Sequence, residues 1–235
     1  MSLITDICGM HILLIGATAR EIQPAADHML SHAGRRTGPE ISVLVTGVGL
    51  VPTTVALMQQ LFVHRPDMVI QAGIAGSFRD KMLGEVVVVK EDALSDVGVF
   101  EEGVFRSVFD LGLAAENVFP YCNGYLVNPY SRLLSLPALK QVRGVSVHTI
   151  TTDPGIIRRY RQTEGAVVES MEGAALHYVC LVEKIPFLQF RAISNRVGER
   201  DKSKWDIQAA TLGLNQTLIT FFNQLTVNHA NRDWI

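Results

Sequence analysis

The chain has 235 residues, 48% of them hydrophobic, and a formal net charge of −2. That length and composition fit one domain over residues 1–235 with a large core, and the near-balanced charge, with no long run of one sign, argues against a nucleic-acid binder. No uncharged apolar run approaches the roughly eighteen residues of a membrane span, no secretory leader is indicated, and the widely spaced Cys8, Cys122 and Cys180 read as reduced thiols, so a soluble, cytoplasmic protein is expected.

Met10 to Ile15 is a compact apolar run that stops at Gly16-Ala17, and a helical pattern through Ile22, Ala25, Ala26 and Met29 opens at Thr18 or Ala19. Glu21 therefore falls in the first turn after a strand end, where side chains of an α/β fold face the ligand crevice. The plain alternative is an acid that complements a helix N-terminus. Ile41 to Val45 is a second strand, ending in TGVGLVPTT before a helix through Val55 to Phe62, and Met68 to Gln71 is a third, ending in the glycine stretch AGIAGSF. Neither glycine stretch completes GxGxxG or GxxxxGK[ST], so no dinucleotide or nucleoside triphosphate is indicated.

Gly84 to Val89 is β-branched and reads as a strand, and residues from Glu91 to Val118 form a long excursion. A short helix is expected within Pro129 to Leu139, and an edge strand over Val145 to Thr152. Thr152-Asp153-Pro154 signals a helix start, with Arg158, Arg159 and Arg161 on a solvated face. Val167 to Arg200 then reads as strand, helix and strand, with Glu172 on the helix and Arg191, Ser194 and Asn195 where the second apolar run ends. Trp205 to Leu225 is a long amphipathic helix, and the tail from Val227 is polar.

No HxH, HExxH or paired cysteines provide metal spacing, so neither metal nor cofactor is expected, and no GxSxG elbow supports covalent serine chemistry. What remains is Glu21, Glu172, Arg191, Ser194, Asn195 and two glycine stretches at strand ends. Two separated carboxylates with a guanidinium and an amide suit cleavage of a bond to a sugar.

IGATAREI, VTGVG, AGIAGSF, MEGAAL and RAISN, in this order, resemble the nucleoside phosphorylase and hydrolase family, and VESMEGAAL with RAISNRVGERDKSKW resembles its futalosine-cleaving branch. The resemblance implies a three-layer α/β/α fold with a central mixed sheet, a homodimer and a small-molecule nucleoside substrate. It makes Glu21 the general base for water, with Arg191 orienting water and ribose, Glu172 accepting from the ribose hydroxyls and Met171 packing on the sugar. It also brings the backbone of Gly73, Ala75 and Gly76 near ribose and water, with Ser194 supporting the base reader. Adenosine-cleaving members carry aspartate where this chain has Asn195; an amide NH₂ can donate to both N7 and O6 of a 6-oxopurine. Asp201 is a weaker second contributor near the base, and Arg106, Arg158 and Arg196 are candidates for an anionic 5′ end of the substrate. Phosphorylase and methylthioadenosine/S-adenosylhomocysteine nucleosidase activity are the rival readings.

Overall fold

The computed structural model describes residues 9–32 and 39–227; Cys8 and the expected polar tail beyond Val227 lie outside them, Val227 itself being helical. β1 (His11–Gly16), β2 (Glu40–Val45) and β3 (Met68–Ser77) are parallel neighbours in the order β2-β1-β3. β3 also pairs in parallel with β10 (Phe187–Arg196), and β10 runs antiparallel to β4 (Val86–Asp92). β4 is parallel to β8 (Gln141–Ser146), β8 to β9 (Val168–Ser170), and β9 returns antiparallel to β3 through Gly76 and Ser77. Strands β3, β10, β4, β8 and β9 thus close on themselves, with β1 and β2 as an open wing, and the sheet is mixed as expected.

Alternation along β1 divides the core. Ile12 and Leu14 pack with Met29 of α1 (Ala19–His32) and Phe221 and Phe222 of α6 (Ile207–Val227). Leu13 and Ile15 pack with Leu57 and Leu61 of α2 (Leu50–Val63) and Leu176 of α5 (Gly173–Val182). A strand buried on both faces by helices needs an unbroken apolar run, which Ile12 to Ile15 supplies. α2 itself leaves Val51, Val55, Met58 and Phe62 exposed along one stripe. Among the described residues no helix is long and apolar enough to cross a membrane.

Two helix starts follow from local chemistry. Asp153 caps α4 (Pro154–Gln162), its carboxylate accepting from Gly155 N and Ile156 N, with Pro154 inside the start. In α1, Pro24 lies within the helix and has no N–H to give. One residue later Asn215 of α6 enters the ladder, accepting from Ala25 N at 2.9 Å and donating to the Glu21 carbonyl at 2.8 Å.

Three expectations change. AGIAGSF is the second half of β3, not a loop, because β10 pairs with it to Ser77. Strand β8 stops at Ser146 and lies inside the sheet, between β4 and β9. Its alternation misleads because Ser146 is fully buried, donating to Asp92 Oδ1 and accepting from Ala174 N. Glu172 is the N-cap residue before α5 rather than part of the helix. The excursion holds a two-stranded hairpin, β5 (Gly98–Glu101) with β6 (Val104–Ser107), and β7 (Leu126–Val127) follows; the short helix α3 spans Ser131–Ser135.

Candidate active site

The carboxyl edge of β1 and β3 opens into a cavity of about 350 Å³. Its floor crosses the sheet from Ala17 and Val48, past Ile74 to Gly76, to Ser170 and Asn195. Ile150, Val197, Trp205 and Ile207 add apolar walls. A pocket that is mostly apolar with a few converging polar groups is the usual form of a small-molecule site.

Glu21 is fixed twice over. Thr18-Ala19-Arg20-Glu21 is a capping box, in which Glu21 Oε2 accepts from Thr18 N at 3.0 Å and Thr18 Oγ1 at 2.8 Å. Its other oxygen accepts from Ile74 N at 3.1 Å. The capping role and a place in the cavity therefore coexist in one side chain.

Glu172 faces the same space. Its Oε1 accepts from Gly49 N at 3.1 Å, at the positive start of α2, and its Oε2 lies 3.4 Å from Arg191 Nη1. Arg191 is 1% exposed, outside the cavity lining. It holds the lining from behind, donating from Nη2 to Gln71 at 3.1 Å and from Nη1 to the Ile74 carbonyl at 3.4 Å. Gly73 makes this possible: a Cβ there would meet Arg191 Nη1 at 2.7 Å and Glu21 Oε1 at 3.1 Å.

At the far side of β3, Ser194 Oγ donates to Asn195 Oδ1 at 2.9 Å, which fixes the amide with Nδ2 as the outward donor. Nδ2 donates to the Arg196 carbonyl at 3.0 Å, leaving it one further proton. Across β3, Gly76 is paired with Asn195 on one side and Glu169 on the other. Residues in register share a sheet face, so the two side chains flank a bare glycine at about two strand spacings, roughly 10 Å between Cα atoms.

Glu169 is the residue the sequence reading missed. It lines the cavity and is 7% exposed; Oε1 accepts from Thr151 N at 3.1 Å, and Oε2 has no partner among the described residues. Burial raises its pKa, with the Thr151 contacts opposing. Beneath Arg191 lies a second polar layer. Burial pushes the Asp92 carboxyl up to about 6 and the His177 imidazole down to about 4, and the absent side chain of Gly173 gives Asp92 and Gln189 room to approach.

The candidate site residues Met171, Ala75 and Ser194 all line the cavity. Asp201 does not; its carboxylate caps the short 3-10 turn Lys202–Lys204, accepting from Ser203 N and Oγ. Arg158 and Arg196 line a separate hollow behind Val197 to Glu199, where Arg196 pairs with Asp80 at 3.2 Å, and Arg106 pairs with Glu101 at 3.5 Å on the hairpin. Among the described residues one group has metal-like spacing, His11, Glu40 and His64, outside the cavity. Both ring nitrogens of His11 already face oxygens, of Ser42 and the Arg65 carbonyl.

The comparisons agree with this architecture. The futalosine hydrolase of Acidothermus cellulolyticus is 29% identical over 197 residues, covering 83% of this chain and 80% of that protein. The 5′-methylthioadenosine/S-adenosylhomocysteine nucleosidase of Aeromonas salmonicida is 29% identical over 182 residues, covering 74% and 76%. The solved nucleosidase of the same name from Helicobacter pylori superposes with a TM-score of 0.76 at 19% identity, covering 92% of this chain and 98% of that one. Residues 11–222, from the first core strand to the last helix, match one family model, and the chain belongs to the phosphorylase superfamily.

Proposed function

We propose that the protein hydrolyses the N-glycosidic bond of a 6-oxopurine nucleoside, with futalosine as the substrate, releasing hypoxanthine. The row Glu169, Gly76, Asn195 carries this reading. A 6-oxopurine presents N7 and O6 as acceptors and N1–H as a donor along one edge. The one Asn195 Nδ2 proton not given to the Arg196 carbonyl is a donor that the N7 and O6 pair can share, and the free oxygen of Glu169 is an acceptor for the third. Adenine keeps N7 as an acceptor but shows an acceptor at N1, which mismatches Glu169, and a donor at N6, which Asn195 Nδ2 cannot pair.

Ribose would lie over Ile74 and Ala75, its 2′ and 3′ hydroxyls donating to Glu172. Glu21, on the same floor, takes a proton from water as the water oxygen bonds to C1′. The C1′–N9 bond breaks with its electron pair leaving on the base, and that charge is met by the Asn195 amide. Arg191 acts at one remove, holding Glu172. Two carboxylates facing one space disfavour phosphate as the nucleophile, which separates this reading from a phosphorylase. The homodimer expected by resemblance would have the exposed α2 stripe available for its contact.

Base release in phosphate-free buffer tests the reading, with futalosine, inosine, methylthioadenosine and S-adenosylhomocysteine offered in parallel. Hypoxanthine from futalosine is the expected product. Adenine from the sulfur nucleosides instead would place the chain with the rival activity, and release that requires phosphate would make it a phosphorylase.

Two variants address base selection. Asn195→Asp sets a carboxylate against two acceptors and is expected to cut kcat/KM for the 6-oxopurine by roughly 10- to 100-fold relative to adenine nucleosides. Glu169→Gln keeps the shape and turns an acceptor into a donor for one of its two amide orientations. We expect it to narrow the same preference about tenfold. An unchanged ratio of 6-oxopurine to adenine rates in both variants would mean that the base is read elsewhere.

A further inference from the structure

Arg20 is the one cation among the residues lining the cavity, against four carboxylates, those of Glu21, Glu169, Glu172 and Glu199. Glu172 has Arg191, Glu199 has Lys204 at 2.9 Å, and Glu21 has its capping donors. Arg20 makes no hydrogen bond, ion pair or ring contact with any of the described residues. It stands in the first turn of α1, exposed at the cavity wall and held in place by the backbone of the capping box on either side.

Its position along the cavity is set by topology. α1 follows β1, and β1 lies on the opposite side of β3 from β10. Arg20 therefore sits at the β1 end, while Asn195 sits at the β10 end. With the base against Asn195 and the ribose at Glu172, the 5′ substituent must leave toward Thr18, Val48 and Arg20. A guanidinium with five N–H donors and no acceptor among the described residues, in a cavity whose other charged side chains are all carboxylates, is suited to a planar anion that can take two of those donors at once.

We infer that Arg20 forms a carboxylate subsite: it binds a carboxylate carried on the 5′ substituent of the nucleoside. This rests on the orientation proposed above and extends it to the end of the substrate remote from the base. It also explains how an anion enters a cavity lined by carboxylates. The long-range repulsion of the acidic walls is offset at the mouth, where the incoming charge first arrives.

The test uses full-length protein and steady-state kinetics on futalosine, whose 5′ side chain ends in a carboxylate, and on inosine, which has only a 5′ hydroxyl. Arg20→Gln is expected to raise the ratio of KM for futalosine to KM for inosine at least about tenfold, with Arg20→Lys intermediate. In the wild type this KM ratio should rise with salt, and in Arg20→Gln it should not. Equal changes in KM for both substrates, or a salt response that survives in the variant, would overturn the inference. If the wild type leaves futalosine intact, the proposed substrate fails. The subsite is then read from the effect of Arg20→Gln on the ratio of KM for S-adenosylhomocysteine, whose 5′ substituent ends in a zwitterionic amino acid, to KM for methylthioadenosine, which has no carboxylate; an unchanged ratio would overturn the inference.

Discussion

Glu21→Gln should lower kcat by about three orders of magnitude while substrate affinity holds, since a positioned general base contributes roughly 10²- to 10⁴-fold. The local hydrogen bonding makes the variant informative beyond the loss of a base. Three donors converge on the two oxygens of Glu21: Thr18 N, Thr18 Oγ1 and Ile74 N. An amide has one acceptor oxygen, so its NH₂ must face a donor whichever way it turns. A fall in stability of about 1 kcal/mol should accompany the loss of rate. Single-turnover rates, calorimetric binding and thermal unfolding separate these effects. A rate within tenfold of the wild type would remove Glu21 from the proton transfer.

Gly73→Ala is expected to cost about 100-fold in kcat, although it adds one methyl group and removes no functional group. That methyl would lie 2.7 Å from Arg191 Nη1 and 3.1 Å from Glu21 Oε1. Arg191 is enclosed on all sides and cannot swing away, so the strain passes to Glu172 in front of it and to the Glu21 carboxylate. Displacements of about 1 Å at a reacting group are known to cost this much, and overpacking of this kind destabilises by roughly 1–3 kcal/mol. Kinetics together with denaturant unfolding check both parts. A variant that is destabilised yet fully active would show that Arg191 does not align the carboxylates.

The local rules of the chain were readable where a single segment decides the outcome. HILLIG followed by Thr18 and Glu21 specifies strand, turn and capped helix without help from elsewhere, and Asp153-Pro154 starts its helix the same way. Ser194 and Asn195 could be nominated because they end a long apolar run, and Glu172 because it is an acid at the start of an apolar helix. Glu169 could not. It lies within the run VVES, and its relation to Asn195 exists only because two strands from different parts of the chain pair with the same glycine. The glycines of AGIAGSF misled in the opposite direction. Their absent side chains signal turns in sequence, but here they clear space for Arg191, Glu21, Val197 and Asn195 inside a strand. Arg20 was hidden by its neighbour, because a basic residue in a helix first turn looks solvated until the cavity wall is seen.

The Asn215 amide ties α6 to the turn of α1 that carries Glu21. It acts as a strut between the Glu21 carbonyl and Ala25 N, at the point where Pro24 weakens the first helix, from a residue 190 positions beyond Ala25. The turn that carries Glu21, the proposed general base, is therefore braced from α6 as well as by its own capping box. Loosening α6 would release a brace on the Glu21 backbone, while the carboxylate keeps its own contacts to Thr18 and Ile74.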